Sequence, residues 1–387
     1  MKKVQSFDRS AGILMSVSSL PSPYGIGTFG KAAYDFVDFV SACNHRYWQV
    51  LPLGPTTYGD SPYQSYSAFA GNPYFIDLDI LVQDGLLFEN EVCTIQWSGH
   101  IEYVDYERIY NNRFAVLKSA FARFKNKLIE SKVKLAAGLP EYKRFDNFIK
   151  DNSDWLNDYS LFMALKGYFD NKSWWEWDDD IKRRTPEAVE KYSVCLSDEI
   201  EFWKFVQYEF DKQWTALKSY ANKRNVEIIG DIPIYMGYDS ADVWANTDEY
   251  LLDENLAPVK VAGVPPDAFS DLGQKWGNPL YDWKKMKLNG FDWWKRRMQH
   301  SSKLYDVIRI DHFIGIVKYY TIPAGMPDAR QGDYEQGPGQ ELLDVINEAI
   351  GSKKIIAEDL GVSLPEVDEV LEYNNYPSMK VLEFAFG

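Results

Sequence analysis

Three acidic residues follow short apolar runs, a placement that suits carboxylate chemistry at strand ends. They are Asp231 after Val226-Glu227-Ile228-Ile229-Gly230, Asp311 closing Val307-Ile308-Arg309-Ile310, and Glu358 after Ile355-Ile356-Ala357. On a strand, Arg309 and Asp311 are two apart and project from one face, while Ile308 and Ile310 project from the other into packing. A guanidinium beside a carboxylate lowers its pKa, so the spacing predicts an ionised Asp311, the state a carboxylate nucleophile needs. Taken alone, the same spacing serves a structural Arg–Asp pair equally well. Glu358 and Asp359 face opposite ways at their strand exit, so one enters a barrel mouth while the other meets a helix or loop. Two carboxylates from neighbouring strand ends, about 5–5.5 Å apart, make a retaining glycosidase pair. One attacks the anomeric carbon; the other first protonates the leaving oxygen and then activates the acceptor.

Other chemistries fit less well. Gly25-Ile26-Gly27-Thr28-Phe29-Gly30 spells G-x-G-x-x-G, the string of a dinucleotide-binding loop. Leu20-Pro21-Ser22-Pro23-Tyr24 separates it from the preceding apolar run, however, and Val50-Leu51-Pro52-Leu53 lacks the acid that should bind ribose. The glycines therefore read as a tight turn and a close approach of backbone to neighbouring loops. His45, His100, His300 and His312 are scattered, no H-E-x-x-H or calcium loop occurs, and no G-x-S-x-G elbow is present, so neither a metal nor a serine nucleophile is expected. His312 points away from Asp311, which argues against an Asp–His relay. The charge of −15 repels phosphate backbones and anionic lipid, so nucleic-acid and membrane partners are not expected. Three scattered cysteines, Cys43, Cys93 and Cys195, suit a reducing cytoplasm. The first twenty residues read as a first buried strand and not as a secretory leader. Aromatic residues make up 16% of the chain, which serves either a large core or sugar stacking.

These side chains need a scaffold. Apolar runs at 12–17, 48–52, 226–231, 307–311, 355–359 and 380–384 read as parallel strands. Ala33, Phe36, Val37 and Val40 repeat at helical spacing, as do Phe202, Val206, Phe210 and Leu217, and Leu342 to Ile350 before Gly351. Strand–helix alternation means α/β. Two gaps exceed a single crossover and read as inserted subdomains: a mostly helical one at 79–225 and another at 240–300. Asp231, Asp311 and Glu358 all fall at strand C-terminal ends, where barrel active sites lie.

The chain resembles the 4-α-glucanotransferases (amylomaltase or disproportionating enzyme, glycoside hydrolase family 77), relatives of the α-amylases. The segments that carry the resemblance run in order through the chain: SSLPSPYGIGTFG (18–30), WQVLPLGPTTYGDSPYQSYSAFAGNPYFIDL (48–78), GDIPIYMGYDSADVW (230–244), VAGVPPDAFSDLGQKWGNPLYDW (261–283), VIRIDHF (307–313), IAEDLGV (356–362) and MKVLEFAF (379–386). The resemblance implies a (β/α)8 barrel of the α-amylase type spanning 1–387, with the two insertions placed between strands 2 and 3 and between strands 3 and 4. It implies retaining transfer of an α-1,4-glucan segment, from maltooligosaccharides or amylose, to the 4-hydroxyl of glucose or another glucan. Asp311 would be the nucleophile and Glu358 the acid/base. Arg309 would hold Asp311 ionised and contact the donor. Asp231, Ser61, Tyr63 and Gln64 would bind donor-side glucose, and Asn278 and His312 would also contact substrate. Asp267 and Trp276 would sit on a mobile loop covering the acceptor side, and Tyr58 would be a glucan platform. No cofactor or metal is implied.

One departure accompanies the match. The family carries a third carboxylate in a T-H-D-N-D-like segment on the seventh strand, after MKVLEFAF, and no T-H-D string occurs in residues 1–387. The resemblance therefore implies a barrel lacking its seventh and eighth strands, with very weak or no transfer by this chain alone. An inactive glucan-binding fragment, or a glucan hydrolase, are the alternative expectations. Oligomeric state is left open.

Overall fold

A computed structural model describes residues 7–100, 102–133, 141–267, 270–361 and 364–386. The chain divides into two compact units. One comprises Gly12–Asp60 and Ala70–Val226; the other takes the described residues of Met1–Ala11, Ser61–Phe69 and Glu227–Gly387. Among the described residues, no helix is long and apolar enough to cross a membrane.

The first unit opens with a parallel strand pair, β1 (Gly12–Leu14) and β2 (Tyr47–Gln49), with the helix Lys31–Ala42 between them. β1 is shorter and more exposed than its apolar run predicts, with Leu14 56% accessible. Residues 78–223 are mostly helical, and the long helices Tyr106–Val133, Ser153–Tyr168 and Ser197–Lys223 dominate this stretch. Most large aromatics serve this core and that of the second unit. Trp48, Trp174, Trp214, Trp244, Trp293 and Trp294 are fully buried, which favours packing over sugar stacking for them. Phe29 sits 5.1 Å from Phe210 and 5.2 Å from Trp214, ring to ring, so helix Ser197–Lys223 covers the glycine-rich loop. Gln207 accepts from the Gly71 N–H at 2.7 Å and donates to its carbonyl at 2.9 Å, which satisfies a buried backbone segment.

The glycine-rich loop behaves as expected. A Cβ on Gly27 would overlap the Val17 carbonyl oxygen, so the loop folds tightly on its own strand exit. The Asp77 carboxylate lies against Gly30, at the N-terminus of helix Lys31–Ala42, and accepts from Thr28 Oγ1 at 2.6 Å. A dinucleotide would place its pyrophosphate at that helix end; here the protein's own carboxylate fills it.

The second unit holds three parallel strands in the order β3 (Glu227–Ile232), β6 (Val307–Ile310) and β9 (Lys354–Ala357). Beside them is an antiparallel sheet in the order β5 (Gln274–Pro279), β4 (Lys260–Val264), β7 (Lys318–Pro323) and β8 (Asp333–Gln336). Its core is Val261, Tyr320, Ile322 and Ala329. The segment 240–300 therefore does not close on itself, because its sheet is completed by β7 and β8. Such pairing is set between residues far apart in sequence, and apolar periodicity does not report it.

Parallel strands connected through helices make the fold α/β, as the alternation predicts. No pairing closes them into a ring among the described residues. The run at 380–384 is not a strand. The chain makes one parallel bridge, Ala357 to Ser378, and then enters a 3-10 helix at Leu382–Phe386. Leu382 and Phe386 are 71% and 83% exposed. An apolar run becomes a strand only where a ladder and a packed face receive it, and among the described residues neither receives this one.

Candidate active site

Register brings the charged residues together. β3 and β6 pair with Asp231 opposite Arg309, and β6 and β9 pair with Arg309 opposite Ile356. Ile308 and Ile310 are fully buried, so Arg309 and Asp311 share the other face, as their spacing predicts. Arg309 Nη1 lies 2.6 Å from Asp231 Oδ1 and 2.8 Å from Asp311 Oδ1. Its Nε donates to Met379 Sδ at 3.2 Å. One guanidinium thus bridges two carboxylates, and the expected Arg309–Asp311 pair is in fact a triad.

Asp311 and Glu358 follow the last residues of β6 and β9. The Asp311 N–H donates to the Ile232 carbonyl at 3.0 Å, and the Glu358 N–H to the Ile310 carbonyl at 3.0 Å. Glu358 is buried, and each of its oxygens accepts a backbone bond: Oε2 from His312 N at 2.8 Å and Oε1 from Leu360 N at 2.9 Å. Asp359 turns the other way and accepts from Met379 N at 2.9 Å. Opposite orientation of the two acids is what their adjacency on the strand predicts.

The electrostatics correct one expectation. Burial pushes Asp311 above the ordinary carboxylate value, and the Arg309 guanidinium only partly pulls it back. The sequence predicts a lowered pKa because it reveals the cation but not the desolvation. Burial raises Asp231 to about 6, against the opposing pull of Arg309. Burial also raises Glu358, with the Asp311 charge adding to the shift and the two backbone donors opposing it. Burial works against the charge on Arg309, but Asp231 and Asp311 together hold its pKa above the usual value.

The loop Ser61–Phe69 supplies further groups. Tyr63 Oη donates to Asp231 Oδ2 at 2.8 Å, and Gln64 Nε2 donates to Asn278 Oδ1 at 3.2 Å. Asn278 in turn donates to the Met236 carbonyl at 2.9 Å. Ser61 is half-buried in the same loop, its carbonyl accepting from Gln64 N at 3.1 Å. Buried Asp242 pins this loop by accepting from Ala68 N at 2.8 Å and from Trp293 Nε1 at 3.1 Å.

Trp276 lies within strand β5 and not on the loop where the resemblance places it. Its ring meets His312 edge-on at 4.8 Å and Tyr235 at 6.4 Å. Asp267 is exposed in the β4–β5 turn, where Oδ1 accepts from Ser270 N at 2.8 Å. Residues 268 and 269 of that turn lie outside the described residues. Tyr58 is fully exposed in the first unit. Sequence reasoning missed Met379 and Tyr235. Met379 carries no local signal, and Tyr235 reads as one more apolar residue of a β3-exit run.

The sequence matches the model of glycoside hydrolase family 77, described as 4-alpha-glucanotransferase, over residues 15–387. It is 50% identical over 374 residues to the 4-alpha-glucanotransferase of Clostridium butyricum, covering 96% of this chain and 74% of that protein. It is 47% identical over 380 residues to that of Streptococcus pneumoniae TIGR4, covering 98% and 73%. The structure of the amylomaltase from Streptococcus agalactiae in complex with acarbose superposes with a TM-score of 0.92 at 42% identity, covering 98% of this chain and 74% of that one.

Proposed function

This chain belongs to glycoside hydrolase family 77, the 4-α-glucanotransferases, and from that premise we propose how its residues carry out the transfer of α-1,4-glucan segments. The observation that carries the proposal is the pair of acids at neighbouring strand ends. Asp311 is ion-paired to Arg309 at 2.8 Å, and Glu358 is held by two backbone N–H groups.

Glu358 protonates the glycosidic oxygen of the donor as the C1–O bond breaks. An Asp311 oxygen bonds to C1 and leaves a β-linked glycosyl ester. The severed chain departs with its new hydroxyl. Glu358, now anionic, takes the proton from the 4-hydroxyl of glucose or of another glucan. That oxygen bonds to C1 and Asp311 leaves, so two inversions restore the α linkage. Burial of Glu358 favours its protonated form, which suits the acid role. Burial raises Asp311 as well, but direct contact with Arg309 opposes that rise and favours the charged form a nucleophile needs.

Asp231 and Tyr63 orient Arg309 and line the donor side with Ser61, Gln64 and Asn278. Trp276 and Asp267, on the β4–β5 hairpin, cover the acceptor side, where excluding water favours transfer over hydrolysis. Tyr58 offers an exposed ring to a glucan chain. A cytoplasmic location is supported by three free, exposed thiols at Cys43, Cys93 and Cys195.

The test is product analysis. Purified protein incubated with maltotriose should yield glucose together with oligomers longer than the substrate. Asp311→Asn and Glu358→Gln should each abolish the ladder. A ladder that survives either substitution would refute the role given to that residue. Glucose release without longer products would replace transfer by hydrolysis.

A further inference from the structure

His312 has a backbone conformation that few residues other than glycine adopt: its φ is +50°, in the left-handed region. Histidine is among the L-residues that tolerate this region best, but the conformation is still unfavourable. Such strain persists only where neighbours over-determine it, and it concentrates at functional sites.

The neighbours do over-determine it. Asp311, on one side, is tied to β3 through its N–H to Ile232 at 3.0 Å. Phe313, on the other, donates its N–H to the Glu358 carbonyl at 2.9 Å. The chain must turn sharply between these two anchors, and the turn points the His312 N–H at Glu358 Oε2, 2.8 Å away. Glu358 is therefore held twice by the same turn, once through its side chain and once through its carbonyl. The imidazole is seated separately, against Trp276 at 4.8 Å and above Gly315. A Cβ at Gly315 would lie 3.1 Å from His312 Cδ2 and 2.9 Å from Ile234 Cδ1, so glycine there keeps the ring's place open.

We propose that His312 is a positioning residue for the acid/base, acting through its backbone: its left-handed turn aims the N–H that orients the Glu358 carboxylate. This rests on the reading of Glu358 as the acid/base. Among the described residues, the charged groups that act on Glu358 are Arg309 of β6 and Asp311 just past its end; Asp359 is turned away to Met379. Losing the His312 donor removes one of two backbone bonds that favour the carboxylate form. It therefore moves the ionisation of Glu358 to higher pH and leaves the carboxyl less well aimed.

The experiment is the pH dependence of kcat and KM for maltotriose transfer in His312→Val, His312→Gly and Gly315→Ala. Valine is β-branched and disfavours positive φ, whereas glycine keeps both the turn and the N–H. In His312→Val, kcat should fall about tenfold or more with KM within about twofold, consistent with a misplaced general acid. The alkaline limb of kcat should move up by about half a pH unit to one unit. His312→Gly should retain the wild-type alkaline limb although it lacks the ring. Gly315→Ala, which crowds the ring without altering His312, should shift the limb in the same direction by less. It carries the test if His312→Val does not fold.

An unmoved limb in both His312→Val and Gly315→Ala would overturn the proposal. So would a tenfold rise in KM common to His312→Val and His312→Gly with kcat retained, because the imidazole would then act on the sugar. Transfer surviving in Glu358→Gln would instead refute the reading of Glu358. An inactive Glu358→Gln alongside unmoved limbs would refute only the role of His312.

Discussion

Replacing Arg309 by methionine leaves two acids without the cation they share. Arg309 Nη1 contacts Asp231 at 2.6 Å and Asp311 at 2.8 Å, and the side chains are 11%, 1% and 28% exposed, respectively. With charge centres about 4 Å apart and an effective dielectric near 20, each attraction is about 4 kcal/mol. That equals about three pKa units, and the partial exposure of Asp311 reduces it to about one to two. Asp311 must be ionised to attack carbon, so it governs the acid limb, where activity grows with pH. In Arg309→Met that limb of kcat/KM should move up by about one to two pH units. Stability at pH 8 should fall by about 3–5 kcal/mol, because an uncompensated buried charge remains. The loss should be smaller at pH 5, where Asp231 (raised to about 6 in the intact protein) is protonated. Arg309→Lys keeps the charge but not the fork and should shift the limb less. The assays are maltotriose transfer from pH 4 to 9, and urea unfolding at pH 5 and pH 8. An acid limb within about 0.3 units of wild type in Arg309→Met would show that the guanidinium does not set the ionisation of Asp311.

Two further outcomes probe regions remote from the site. Gly27→Ala should destabilise the protein by about 1–3 kcal/mol in urea unfolding, since its Cβ meets the Val17 carbonyl and cannot be accommodated by a side-chain rotation; an unchanged midpoint would contradict the close approach. Glu209 is fully buried beside Lys212 at 2.7 Å, and burial raises it to about 7 although Lys212 opposes the shift. A carboxyl whose folded pKa exceeds its unfolded value loses stability as pH rises between the two, here by up to about 3 kcal/mol. Glu209→Gln should flatten that decline between pH 5 and 8, and an unaltered pH slope would count against it.

Much of the architecture is legible in local pattern. Five of the six apolar runs are strands, and the repeats at Ala33–Val40, Phe202–Leu217 and Leu342–Ile350 are helices. Residues two to four apart determine such periodicities, so a single chain displays them without an alignment. The same logic puts Arg309 and Asp311 on one face and separates Glu358 from Asp359. It also shows, from what lies around Gly25, Gly27 and Gly30, that the G-x-G-x-x-G string lacks the context of a nucleotide loop. Distant parts of the chain decide the rest. Strand register makes Asp231 a second partner of Arg309, and the fold, not the spacing, brings Met379 to its Nε. The antiparallel sheet joins β4 and β5 to strands beyond residue 317, which turns Trp276 from a loop residue into a strand residue. Leu382–Phe386 is apolar enough for a strand, but it forms an exposed 3-10 helix that no ladder receives among the described residues. The ionisation of Asp311 makes the same point. Its neighbour in sequence is a cation that lowers the pKa, yet the atoms that desolvate it come from several strands and loops, and their combined effect outweighs the cation. Spacing can name a charge pair, but how much water reaches it depends on the packed structure.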